Sequence, residues 1–166
     1  MLELMPLLNK LNRAEKLQIM TLTANELVFQ SPYLAVKKAK ELLKEGKMAE
    51  VEQILESLAE SMGRSEKRAV ISQLTRLMLH IIKWKCQPEK RSASWVISIR
   101  SARREIADSQ EEMPSFNREF LESIWDKCFT SAKQDARDEM GKRPEITALT
   151  WENVFAENYT IWDDEN

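Results

Sequence analysis

Glycine, cysteine and histidine are scarce in this 166-residue chain, which has three, two and one of them. Each shortage excludes a class of chemistry. Three widely separated glycines cannot build a P-loop or a dinucleotide-binding turn, both of which need close-set glycines so that backbone can approach phosphate. A nucleophile elbow is missing as well. One histidine, His80, with two scattered cysteines, Cys86 and Cys128, does not furnish an ordinary zinc shell, and the acids show no ligand-like spacing. No metal, cofactor or catalytic residue is therefore expected. The two cysteines lack CxxC spacing and, beside eight methionines, suit a reducing cytoplasm rather than a disulfide scaffold. No apolar run approaches the ~20 residues needed to cross a bilayer. The opening six residues do not read as a signal peptide. A cytoplasmic chain with no membrane role is expected.

What is present is ordinary in amount and uneven in placement. Hydrophobic residues make up 43% and charged residues 31%, the proportions of a folded globule. The length suits one compact domain burying roughly 70% of its unfolded surface, with a single core. The net charge of -2 conceals a segregation. Residues 64–104 carry eleven basic side chains against two acidic ones, and residues 105–166 carry six against sixteen. Either the basic middle packs beside the acidic final third, or it offers a face to nucleic acid. The acidic counterweight favours the first.

Apolar residues recur at helical spacing between helix start and stop signals. Gly46, Gly63 and Gly141 each follow such a segment, where a left-handed C-terminal cap belongs. Ser31-Pro32 reads as an N-cap with proline at the first helical position. Asn12 to Glu15 has capping-box spacing, and Pro114-Ser115 opens another helix. The expected stripes are Leu17, Met20, Ala24 and Leu27; Tyr33, Val36, Ala39, Leu42 and Leu43; and Met48, Val51, Ile54, Leu55 and Leu58. Ile71, Leu74, Leu77, Met78 and Ile81 then lead to Trp84, and Phe116, Phe120, Ile124, Cys128, Ala132 and Ala136 lead to Gly141. Residues 94–99 are β-branched enough for a strand. However, Trp95, Ile99, Ala102 and Ile106 keep helical spacing, and a lone strand would leave its backbone unpaired. The expected fold is all-α, a compact bundle of six to seven helices. Residues 1–30 form an N-terminal amphipathic segment, 31–157 the bundle, and 158–166 an acidic tail that frays unless Trp162 anchors it.

One stretch, residues 79–100, stands out. His80 and Trp84 lie one turn apart, with Arg76 and Lys83 on the same side, and Gln87-Pro88 ends their helix. Ser94 and Trp95 open the next helix. A short antiparallel hairpin should bring Trp84 near Trp95 and gather Lys83, Lys90 and Arg91. The candidate binding residues are His80, Lys83, Trp84, Arg91, Ser94, Trp95 and Arg100. Three functions fit them: docking of an acidic protein partner, stacking and phosphate contact with single-stranded RNA, or metal-independent RNA cleavage by His80. A plainer reading makes the tryptophans core plugs covered by Arg and Lys stems. The spacing Arg76 to His80 narrowly misses the Arg-then-His signature of all-helical HEPN ribonucleases, with only three residues intervening.

Several segments together resemble a bacterial family, domain of unknown function number twenty-nine, over about residues 33–151. They are Leu42-Leu43 to Gly46, Gly63 to Arg68, and Leu79-His80 through Lys83-Trp84. Gln87-Pro88, Arg91, Ser94-Trp95, Ile99-Arg100, Asp135-Ala136-Arg137 and Thr150-Trp151-Glu152 complete the set. The resemblance implies a small helical domain and carries no catalytic residues. The chain departs from the family at residues 7–17, where an amphipathic segment similar to those of small antitoxin-like proteins replaces an acidic, aromatic opening. The functional expectation is an interaction module that binds a protein partner through the basic Trp-containing face. It self-associates into a homo-oligomer by Leu7, Leu8, Leu11, Leu17 and Met20, within a toxin–antitoxin-like pair. The alternative is an RNA-binding protein or ribonuclease centred on His80.

Overall fold

The computed structural model describes residues 23–162. These residues form five α-helices, α1 (Ala24–Gln30), α2 (Pro32–Lys44), α3 (Met48–Cys86), α4 (Ala93–Glu112) and α5 (Arg118–Met140), with a 3-10 turn at Pro88–Lys90 and a π turn at Glu152–Ala156. The fold is all-α, and among the described residues there is no strand. No helix there is long and apolar enough to cross a membrane. The chain divides into two compact units, Met1–Ser65 and Glu66–Asn166, and the division falls inside α3. The buried apolar side chains likewise form two clusters, where length alone suggested one core.

In the first unit, local chemistry sets the helix ends. Thr23 caps α1 through a capping box, its backbone N–H donating to the Glu26 carboxylate at 2.9 Å. Ser31 caps α2 by accepting from the Leu34 N–H at 3.3 Å, with Pro32 at the first helical position as expected. Gly46, at φ 75°, ends α2. The Lys47 N–H donates to the Leu42 carbonyl and the Gly46 N–H to that of Leu43, a Schellman pair. Leu27, Val28, Ala35, Ala39, Leu42, Val51, Ile54 and Leu58 are buried together.

Two sequence expectations need correction here, and a third cannot be compared. Tyr33, Val36 and Leu43 lie on the outer side of α2, and Met48 and Leu55 on the outer side of α3, because these helices carry apolar residues on two faces. Gly63 ends no helix. Only Gly46 and Gly141 take positive φ, and α3 continues through Gly63 because good helix formers follow it and no proline intervenes. The expected capping box at Asn12, the stripe residues Leu17 and Met20 and the self-association residues Leu7, Leu8 and Leu11 lie outside the described residues.

In the second unit the later part of α3 is buried on most sides. Leu74, Leu77, Met78, Ile81 and Ile82 are fully enclosed, as a broad apolar helix face requires, while Arg76 and His80 mark its polar side. Val96, Ile99, Ala102 and Ile106 from α4, and Leu121, Ile124, Cys128, Ala132, Ala136 and Met140 from α5, belong to the same cluster. Residues 94–99 are helical as expected. Pro114-Ser115 opens no helix. The Phe116 N–H donates to the Met113 carbonyl in a turn, and α5 begins at Arg118 because Asn117 caps it, accepting from the Phe120 N–H at 3.0 Å. After Gly141 the chain returns to this core through Leu149, Val154 and Tyr159. The expected fraying from residue 158 does not hold at Tyr159, which is 3% exposed, whereas Trp162 is 75% exposed and anchors nothing.

Candidate functional site

Of the residues singled out by sequence, Lys83, Trp84, Arg91 and Trp95 meet at the turn between α3 and α4, whereas His80 lies a turn earlier in α3 and Ser94 and Arg100 face outward on α4. Gln87 is buried, and its N–H is the last to bond back into α3, donating to the Lys83 carbonyl at 2.9 Å. Pro88, which has no N–H to give, stops the helix there. Ser92 precedes α4, and its hydroxyl lies 2.9 Å from that of Ser94.

Within the hairpin, cations and indoles pair across the turn. The Lys83 ammonium lies 4.6 Å from the Trp95 ring centre and bonds the Glu139 carboxylate of α5. The Arg91 guanidinium lies 4.7 Å over the Trp84 ring, and its Nε–H donates to the Trp84 carbonyl at 3.1 Å. Trp84 is buried and Trp95 half-buried. Among the described residues the aromatic neighbour of Trp84 is Tyr159, edge-on at 5.7 Å, rather than Trp95. Beside them Lys85 bonds Glu157 at 2.8 Å, and the Tyr159 hydroxyl lies 2.8 Å from the Asn153 carbonyl and 3.0 Å from Glu157. Burial, reinforced by Glu157, raises the Tyr159 pKa well above the usual phenol range. Arg103 donates to the Val154 and Asn153 carbonyls, which fixes the returning chain.

His80 is half-buried, and its Nδ1–H donates to the Arg76 carbonyl one turn back at 2.9 Å. Burial, with a smaller contribution from Lys83, holds its pKa below the usual imidazole value, so the ring is neutral near pH 7. A proton-transfer role would need a positioned partner, and the neighbouring Lys83 is engaged by Glu139.

The basic residues thus separate into two sets. Lys83 and Lys85 are neutralised by Glu139 and Glu157. Lys90, Arg91, Arg100 and Arg104 have no carboxylate partner among the described residues. Ser94, Ile97, Arg100 and Arg104 are all exposed and share the outer side of α4 at helical spacing. Glu139, Glu157 and Tyr159 went unnoticed in the sequence because they lie 56 or more positions from the lysines and the indole they meet.

No curated protein and no solved structure is matched by this chain. A family model described as "Domain of unknown function DUF29" matches residues 30–160, a span holding the whole hairpin and the returning segment up to Tyr159. The chain belongs to this DUF29 family.

Proposed function

We propose that the protein is a helical interaction module that docks an acidic protein partner on the outer side of α4. The observation that carries this reading is Ile97, 62% exposed, with the uncompensated Arg100 and Arg104 on the same helix side and Arg91 at its start. An exposed aliphatic anchor ringed by arginines suits a partner surface with an apolar socket and an acidic rim. The buried half of the hairpin holds α4 in place and gives the site a rigid base. In this reading His80 is a packing residue of the hairpin, its Nδ1–H held by the Arg76 carbonyl.

The test compares capture from cell extract by the parent chain, Ile97→Asp and Arg100→Glu/Arg104→Glu. A protein retained by the parent after nuclease treatment, and at least tenfold less by both variants, supports the proposal. Retention that is nuclease-sensitive, indifferent to Ile97 and falling with salt by about 0.7 log units per phosphate contact would establish the RNA alternative instead.

The same reading has the first unit self-associate. Tyr33, Val36 and Leu43 are exposed along α2, and Met48, Leu55 and Met62 are exposed at seven-residue intervals along α3, the spacing of a helix–helix seam. Light scattering should give a multiple of the 19.4 kDa chain mass, and Leu55→Asp/Met62→Asp should return it to one chain. A monomeric parent would remove this part. An antitoxin-like role rests only on the composition of residues 7–17.

A further inference from the structure

The C-terminal half of α5 and the segment after it border a groove of about 570 Å³, a size within the range of small-molecule sites. Phe129, Lys133 and Arg137 line it at four-residue intervals with Thr130 and Gln134 beside them, so one side of α5 forms its wall. Gly141, at φ 66°, ends the helix in the left-handed conformation, and the buried Pro144 pins the segment beyond. Between these two points Arg143 supplies the second side of the groove.

The lining has three cations and no carboxylate. That concentration is unusual in this part of the chain, since residues 105–166 hold only six basic side chains against sixteen acidic ones. Half of those cations face one groove. Lys133 and Arg143 have no carboxylate partner among the described residues, and Lys133 is half-buried. Arg137 is shared, its Nε–H donating to the exposed Asp138 at 3.3 Å. The Thr130 hydroxyl and the Gln134 amide add neutral donors. Helix electrostatics explains only part of this grouping. A cation in the last turn complements the carbonyl end of a helix, as Arg137 does, but Lys133 lies nearly two turns before Met140, beyond the reach of that effect.

Two uncompensated charges and a third that is shared match one dianionic group. Arginine forks take phosphate oxygens in pairs and a lysine adds a point charge. Donors approaching from two segments suit a tetrahedral group better than a planar carboxylate, and the half-buried Phe129 leaves apolar surface for a carbon skeleton. We propose that this groove binds the phosphoryl group of a small phosphate monoester, held by Lys133, Arg137 and Arg143. It shares no residue with the outer side of α4, so either reading can fail alone.

The test follows the backbone N–H signals of Thr130, Gln134 and Arg143 in a proton–nitrogen correlation spectrum of the full chain. Glycerol 3-phosphate is titrated at a constant ionic strength of about 0.15 M. Glycerol and acetate serve as the neutral and the monoanionic control. The expected result is a saturable shift with a dissociation constant of about 1 mM or tighter, and no matching shift from either control. Lys133→Gln and Arg143→Ala should each weaken binding about fivefold or more. Lys142→Ala, which removes an exposed cation beside Arg143 but outside the groove, should bind like the parent. Arg143 is itself exposed, so its replacement leaves the fold intact. The proposal is overturned if glycerol 3-phosphate does not saturate, if acetate shifts the same signals equally, or if Arg143→Ala binds no more weakly than Lys142→Ala.

Discussion

The first unit buries small and medium side chains, with Ala35 and Ala39 at its centre, and leaves Phe29, Tyr33, Val36, Leu43, Met48, Leu55 and Met62 exposed. The second encloses Leu74, Leu77, Met78, Ile81 and Ile82 completely, and among its large apolar residues only Ile97, Ile161 and Trp162 are exposed. The long-range ion pairs fall in the second unit alone among the described residues. Both units have exposed local pairs, such as Lys47 with Glu45 and Arg118 with Glu122, but only in the second is a lysine, Lys83, enclosed and paired with a residue 56 positions away, Glu139. Local, solvent-facing pairs contribute about 0–1 kcal/mol, whereas removing one partner of a buried pair strands a charge. The second unit is therefore built for a unique packing, and the first keeps apolar surface in reserve.

All five tryptophans lie at position 84 or later, so tryptophan fluorescence reports the second unit, while circular dichroism reports helix in both. The largest expected effect uses this division. Trp84→Ala should destabilise by about 3–5 kcal/mol, seen as an early fluorescence transition in urea. Leu42→Ala, among smaller neighbours, should cost about 2 kcal/mol and move the dichroism curve with little change in fluorescence. Coincident shifts of both probes in both variants would mean that the two units unfold as one.

Next in size is a pair of glycines in the first unit. Gly46→Ala forces an L side chain into positive φ and should cost about 1 kcal/mol. Gly63→Ala, where a new methyl meets nothing within 4 Å, should instead stabilise by about 0.5–1 kcal/mol, measured by thermal dichroism. Destabilisation at Gly63 would argue against an unbroken α3.

The smallest effect concerns His80. Its folded pKa lies below the ordinary 6.5 because burial disfavours the charged ring. As pH falls, the unfolded chain takes up the proton first, so stability is level above about 6.5 and declines below it. Urea midpoints at pH 7.5 and pH 5.5 should separate in the parent more than in His80→Gln.

The sequence disclosed whatever depended on near neighbours. Ser31-Pro32, Gly46 and Gly141 marked their helix ends because capping is settled within a few residues, and the i, i+4 run Ile124–Cys128–Ala132–Ala136 sits buried as its spacing required. Gly63 misled because a glycine costs a long helix little. Pro114 misled because Asn117, three residues on, held the stronger capping group. The hairpin at Gln87-Pro88 was legible, and so was its pairing of cations with indoles, but not which cation met which ring. Trp151 entered only through the family resemblance and Trp125 not at all, since nothing between them along the chain announces that they stack.

Tyr159 closes against Trp84, an indole made 75 positions earlier. At 5–20 residues per second, roughly 4–15 s pass on the ribosome before that wall of the core exists. During this interval the rest of the second unit's apolar cluster lacks its last covering, and nascent chains halted before Tyr159 would be natural clients for chaperones.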